Sequence, residues 1–341
     1  MQRLTREVGK FKHHDAMSDI YDRLGKIGFQ PSFVRSCILP DWWEDKLAEV
    51  PANRAYAEAA IARHLDIALS DLRNKDARLE RQSYASLKLK HRQGVTDDEL
   101  QAAIILGKRL ARIASLSVDT PVRMDNLSAL AIRQEILDSG APWVGFQELL
   151  EFCWRIGIPV IKLCRIPSGN KKPDGMAIWM EERPAIVVAS GKKQPAWHLF
   201  ILAHELGHIA CGHLVKGQVS VDSQVKLEAT DREEEEANSF AVELLSGDPN
   251  LSFSPPRHRI NAQQLADTAQ SLGNKYKIDP GFIALSYSRS QGFIPLGAAA
   301  LNELSPTADA CAIYQNPYGH LNMDDLSEDN RHLFECLTEV S

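Results

Sequence analysis

Over the first third of the chain, apolar positions recur at helical spacing, and prolines rather than strand-like alternation break the pattern. Leu39 to Val50 (LPDWWEDKLAEV) sets paired tryptophans and a leucine beside acidic residues and reads as helical. Pro51 interrupts, and Asn53 to Leu65 (NRAYAEAAIARHL) resumes an alanine-rich run. Pro51 suits the first turn of that helix, where its missing N–H costs nothing. A longer rhythm, Asp97 to Ala114 (DDELQAAIILGKRLARIA), begins acidic after Thr96 and ends basic, as the helix dipole favours. The non-periodic, Pro-containing stretch from Ser115 to Asp125 then marks the main boundary.

Beyond that boundary helices and strands alternate. Asn126 to Asp138 and Phe146 to Ile156 predict two helices, and GIPVIKL, Gly157 to Leu163, predicts a strand. MAIWM (Met176 to Met180) and AIVVAS (Ala185 to Ser190), divided by Glu181 to Pro184, predict a hairpin. A small sheet of about three strands therefore precedes a helix from Ala196 to about Cys211, with Pro195 in its first turn. A polar connector, Leu214 to Asp231, has room for one strand. It leads to an amphipathic helix from Arg232 to Leu245, whose Ala237, Phe240, Ala241, Leu244 and Leu245 form an apolar stripe. Helices near Ala262 to Tyr276 and Pro280 to Tyr287 follow. The tail from Gln291 reads as irregular, with a last helix over Glu328 to Val340. The expected fold class is α+β with a small, mainly antiparallel sheet. Three parts are expected: a helical region over residues 1–120, a compact domain over 121–290 and a C-terminal extension over 291–341.

A formal net charge of -6, from 39 basic and 45 acidic residues, provides no bulk attraction to nucleic acid. The six cysteines (Cys37, Cys153, Cys164, Cys211, Cys311 and Cys336) lack CxxC spacing, and four sit among apolar neighbours, as small buried hydrophobes do. A reducing compartment is the simpler reading. The first residues lack an apolar core of signal-peptide length, and no segment has the roughly 18 consecutive apolar residues of a membrane span. The expected location is the cytoplasm.

The chemistry is concentrated in LAHELGHIA, Leu202 to Ala210. Two histidines four residues apart share one helical face, so His204 and His208 can reach one Zn²⁺ at roughly 2.0 to 2.1 Å. Glu205 is offset from that pair and suits a base that activates water at the metal. Leu206 and Ile209 can face inward, while Gly207 permits another element to approach closely. Catalytic zinc takes three protein ligands, and the acidic run DREEEEANSF, Asp231 to Phe240, is the best source of the third. Glu234 and Asn238, four apart, share a face there: Glu234 suits the metal and Asn238 a hydrogen bond that orients a ligating histidine. A solvated acidic helix start accounts for several of the other glutamates. His213 lies about 140 degrees around an ideal helix from His208 and is not nominated as a ligand. His213, His258 and Tyr276 are candidates for stabilising a developing oxyanion, each with an ordinary surface or helix-end explanation as well.

HELGH followed by EEEEANSFAVELL resembles the ImmA/IrrE family of metallo-endopeptidases, zincins with HExxH and a later glutamate in ExxA followed by Asp or Asn. The likeness runs from about Asp125 to Ser288. It implies a zincin-like domain with zinc on His204, His208 and Glu234, a catalytic Glu205, and Asn238 in the Asn/Asp position. QPAWHLF before the motif and LLSGDP after the acidic helix depart from the family's usual RQRF-like and LLMP-like stretches, which puts the docking of neighbouring or substrate chains in doubt. Family members often carry an N-terminal Cro-like helix-turn-helix and cleave or control a repressor in stress or mobile-element regulation. The resemblance therefore implies a protein substrate, a helix-turn-helix repressor, and supports Ala59 to Asn74 as a degenerate helix-turn-helix. Direct DNA binding is weakly supported, because Arg63, His64, Arg73 and Lys75 only partly supply a basic face. The competing reading is a non-proteolytic, metal-stabilised regulatory or DNA-binding module.

Overall fold

The computed structural model describes residues 16–79, 87–90, 97–180, 182–216, 219–222, 232–253 and 259–339. Thr96 and Asp231, expected at two helix starts, lie outside them, as does His258. The chain divides into two compact units, Met1–Ser83 and Tyr84–Ser341. The break in packing therefore falls well before the Ser115 to Asp125 stretch.

In the first unit α1 (Ser18–Lys26) buries Ile20, Tyr21 and Leu24. The short α2 (Pro31–Phe33) runs into a π-helical turn, Val34–Ile38. The α-helix expected over Leu39 to Val50 is absent, and a short 3₁₀ turn, Asp45–Glu49, stands there instead. Asp45 accounts for the difference. Its carboxylate accepts from Tyr21 Oη (2.6 Å), Arg35 Nε (2.6 Å) and Trp43 Nε1 (3.1 Å), tertiary bonds that hold the segment out of a regular helix. Pro51 opens α3 (Pro51–Leu65) as expected, and Asp66 ends it in the left-handed region at φ 54°. The following α4 (Leu69–Arg73) has only five residues. Buried Glu58 accepts from Arg54 Nε and Arg73 Nε, each at 2.9 Å, so this helical pair is tied together internally.

In the second unit the described strands form one five-stranded sheet, ordered β1 (Leu87–Lys90), β5 (Val219–Asp222), β3 (Gly175–Trp179), β4 (Pro184–Val188), β2 (Val160–Lys162). The expected hairpin is present as the antiparallel pair β3 and β4, and β5 joins β3 antiparallel. The outer pairings, β2 with β4 and β1 with β5, are parallel. The sheet is thus mixed rather than mainly antiparallel.

The alternation of side chains along β3 shows what covers the sheet. A Cβ placed on Gly107 of α5 (Asp97–Ser117) would meet the Met176 side chain, whereas one on Gly175 would meet Glu205 and Ile201 of α8 (Pro195–Ala210). Met176 and Gly175 are adjacent and point to opposite faces, so α5 and α8 cover opposite faces of the sheet. Every residue of β4 is consequently buried, which is why PAIVV reads as a continuous apolar run. A boundary near residue 120 would detach α5 from this layer.

Next come α6 (Ala129–Asp138), capped by Ser128, and α7 (Phe146–Arg155); after the sheet and α8, α9 (Arg232–Ser246) packs across α8. Arg133 of α6 is buried and donates to the carbonyls of Leu245 (2.8 Å) and Lys277 (2.7 Å). It thereby fastens the end of α9 to the end of α10 (Ala262–Tyr276). Then follow α11 (Pro280–Ser290) and α12 (Ile294–Leu304), which packs on both α10 and α11.

The tail is helical rather than irregular. After α12 come α13 (Ala310–Gln315) and α14 (Glu328–Thr338), with short 3₁₀ turns between them. It is also part of the second unit: α14 packs on α5, the N–H groups of Cys164 and Arg165 donate to Leu337 O, and Lys162 N–H donates to Tyr318 Oη. Cys153 is a buried free thiol as expected, but Cys211 and Cys311 are exposed. No helix among the described residues is long and apolar enough to cross a membrane.

Candidate metal centre

Helix α8 carries the HELGH residues at the centre of the second unit. Pro195 occupies its first turn, and the helix touches β3, β4, α7, α9 and α11, so nearly all its residues are buried and most are apolar. His204, Glu205 and His208 are each 0% exposed. Polar groups in such a place need partners, since an isolated buried charge is very costly. Helix α9 brings them: a Cβ on Gly207 would lie 2.9 Å from Ala237 O, so the glycine allows the backbones of the two helices to approach closely. Glu234 and Asn238, one turn apart on α9, then meet the histidines of α8.

Glu234 Oε1 lies 3.1 Å from His208 Nε2, Glu234 Oε2 lies 3.4 Å from His204 Nε2, and the two Nε2 atoms are 3.1 Å apart. Ligands bound tetrahedrally at 2.0 to 2.1 Å are separated by about 3.3 Å, so the triangle has the size of one face of a zinc coordination shell. Among the described residues these three form the one group of metal-ligating type whose donor atoms converge, all within 4.8 Å of one another. His204 Nδ1–H donates to Asn238 Oδ1 at 3.0 Å, which leaves the His204 Nε2 lone pair directed into the triangle. The donor set is therefore compatible with a metal site.

Glu205 points elsewhere. A Cβ on Gly175 would lie 2.2 Å from Glu205 Oε1, so the carboxylate rests against the backbone at the start of β3. Only a residue without a side chain permits that approach. Gly175 therefore lies against the candidate site, although its sequence position signals only a hairpin end.

His213 stands beside His208 and does not join the triangle. Its Nδ1 is 2.9 Å from His208 Nδ1, and its Nε2 is 3.0 Å from Glu236 Oε2. Tyr276, an expected oxyanion candidate, is 53% exposed at the end of α10 with the Lys275 ammonium over its ring. The departure QPAWHLF has a structural use. His198 Nε2–H donates to Lys192 O (2.6 Å), and His198 Nδ1 accepts from Tyr314 Oη (3.1 Å), which ties the start of α8 to α13. Burial pulls the His198 pKa down to about 4, so the ring is neutral at pH 7.

Residues 158–270, about a third of the chain, match the peptidase-family model described as the IrrE N-terminal-like domain. The match runs from β2 to the middle of α10 and contains every residue of the triangle. No curated protein and no solved structure matched the chain significantly. The family suggests a metallopeptidase-like function, and the cluster inside the matched domain is of the type such a function needs. Over this domain the match supports the resemblance to the ImmA/IrrE family.

Proposed function

We propose that this chain is a zinc-dependent endopeptidase, acting in the cytoplasm, that hydrolyses a peptide bond in a specific protein partner, a helix-turn-helix transcriptional repressor. The observation that carries the peptidase reading is the buried triangle of His204, His208 and Glu234 with Glu205 beside it on the same helix. Zinc is favoured because two imidazoles and one carboxylate form the ligand set of many catalytic zinc hydrolases. When bound, the ion acidifies water and polarises a carbonyl.

The chain's own residues do the rest. His204, His208 and Glu234 hold the ion, and Asn238 keeps His204 in the tautomer with a lone pair on Nε2. Glu205, outside the triangle, accepts a proton from the attacking water and returns it to the departing amine. Burial lowers the local dielectric and strengthens each of these interactions. A structural metal needs no such base, which weighs against the non-proteolytic alternative. DNA binding is weakened further because His64 is buried and Arg73 is engaged by Glu58.

The repressor as substrate is supported by the family resemblance. The test mixes zinc-loaded, full-length protein with repressors encoded beside its gene and sequences the products by mass spectrometry. One zinc per chain and a discrete cleavage site are expected. Tight binding of such a partner without cleavage, zinc being present, would favour the regulatory module instead.

A further inference from the structure

We infer that His213 and Glu236 are positioning residues that select the tautomer of His208 and so prepare it to bind metal. The inference rests on His208 being a metal ligand, and it begins at the end of α8. The N–H of Gly212 donates to Ile209 O and the N–H of His213 to His208 O (3.0 Å), while Gly212 has φ +73°. This is the Schellman arrangement, in which a left-handed glycine reverses the chain and brings the second residue past the cap against the third-last residue of the helix. That contact is ordinarily between two apolar side chains. Here both are imidazoles, His213 and His208, with ring centroids 5.1 Å apart.

The hydrogen-bond directions follow from the far end inward. Glu236 Oε1 accepts from Arg232 Nε (2.8 Å), and its Oε2 faces His213 Nε2 at 3.0 Å. A carboxylate only accepts, so His213 Nε2 carries the hydrogen. The neutral His213 ring then presents a lone pair at Nδ1, 2.9 Å from His208 Nδ1. His208 must donate there, which leaves its own lone pair on Nε2, the atom facing Glu234 and His204. The two histidines of the triangle are thus set by different devices: an amide oxygen, Asn238, for His204, and a carboxylate–imidazole pair for His208. His213 is 7% exposed, so water competes little for its ring. Without this pair His208 could place its hydrogen on Nε2 and would need to shift tautomer before binding.

Groups that orient metal ligands in this way typically contribute about 10-fold to 100-fold in metal affinity. The test measures zinc affinity of full-length protein by chelator competition, together with the visible absorption of the cobalt-substituted form and the urea midpoint of metal-free protein. His213→Ala should weaken zinc binding about 10-fold to 100-fold and alter the cobalt spectrum, leaving the metal-free urea midpoint nearly unchanged. His213→Gln, whose amide oxygen can accept from His208 Nδ1–H, should recover most of the affinity. Zinc binding by His213→Ala at unmodified affinity, or a failure of His213→Gln to recover any, would overturn the assignment. Should His213→Ala not fold, the glutamine variant decides alone: near-native affinity upholds the assignment, and loss as deep as that of His208→Ala overturns it. If the unmodified protein itself binds no zinc, the metal-site reading fails, and the assignment fails with it; a tight-binding parent with an indifferent His213→Ala refutes only the relay.

Discussion

At the residue scale, the proposed chemistry assigns holding an ion and moving a proton to different side chains. Glu205→Gln keeps the side chain's volume but removes its ability to accept a proton at neutral pH. Zinc content should be unchanged while single-turnover cleavage of the intact partner falls at least about 100-fold. His208→Ala removes a corner of the triangle and should lose both zinc and cleavage. Full-rate cleavage by the Glu205→Gln protein would remove Glu205 from the mechanism. Gly175→Ala probes the other side of the same carboxylate. Its Cβ would lie 2.2 Å from Glu205 Oε1, so the carboxylate must move, and misplacement of a reacting group by about 1 Å can cost on the order of 100-fold. The variant should bind zinc normally and turn over about 100-fold more slowly; an unaltered rate would mean that Glu205 has no required position against β3.

At the scale of elements, the second unit depends on buried polar groups that join helix ends. Arg133 supplies one guanidinium to carbonyls at the ends of both α9 and α10. Its removal leaves those acceptors without their charged donor, at a cost of about 1.5 to 3 kcal/mol. Urea denaturation of Arg133→Ala should show that loss, and a change below about 1 kcal/mol would mean that water substitutes for the side chain. Asp279 caps α11 by accepting from Phe282 N–H at 2.8 Å, and burial pushes its pKa up to about 6. An unfolded aspartate titrates near 3.9, so between about pH 4 and 6 the folded chain holds the proton more tightly than the unfolded one. Its contribution to stability is therefore fully present below about pH 4 and is lost as pH rises through 6. Asp279→Asn retains the cap oxygen without the charge. It should flatten the stability profile over that range and be more stable than the parent at pH 7, by on the order of 1 to 3 kcal/mol. Parallel pH profiles for the two proteins would show that Asp279 titrates normally.

At the scale of the whole molecule, the matched domain is smaller than the unit that must fold. Residues 158–270 include the triangle but omit α5, which covers the sheet face opposite α8, and α12 to α14. The tail helix α14 packs on α5, and the backbone of Cys164 and Arg165 bonds to Leu337. A fragment of residues 84–341 should fold and retain zinc. One of residues 121–290 should lack a cooperative unfolding transition, because the apolar face under α5 would be exposed. Circular dichroism melts and zinc content of the two fragments make the comparison, and a cooperative melt of the shorter one would assign α5 and α14 an accessory role.

Features encoded within a single element were legible along the chain. The periods of α8, α9 and α10, the prolines at the starts of α3 and α8, the β3 and β4 hairpin, and the HELGH spacing all follow from local geometry. The short helices α12 and α13 escaped because their apolar positions form no sustained stripe, and the turn at Asp45 escaped because its partners Tyr21 and Arg35 are tertiary. The shared face with Asn238 already marked Glu234 among Glu233 to Glu236, but packing brings it to the histidines, since a helix face has no target until α9 crosses α8 at Gly207. Packing also ordered the sheet and laid α5 on it, through contacts between residues far apart in sequence. His213 shows the limit most clearly. On a continuing helix it would point about 140 degrees away from His208, but the reversal at Gly212 folds it back onto that ring. Spacing along the chain specifies direction only while the helix lasts; past its end, backbone conformation and neighbouring elements determine what a side chain touches.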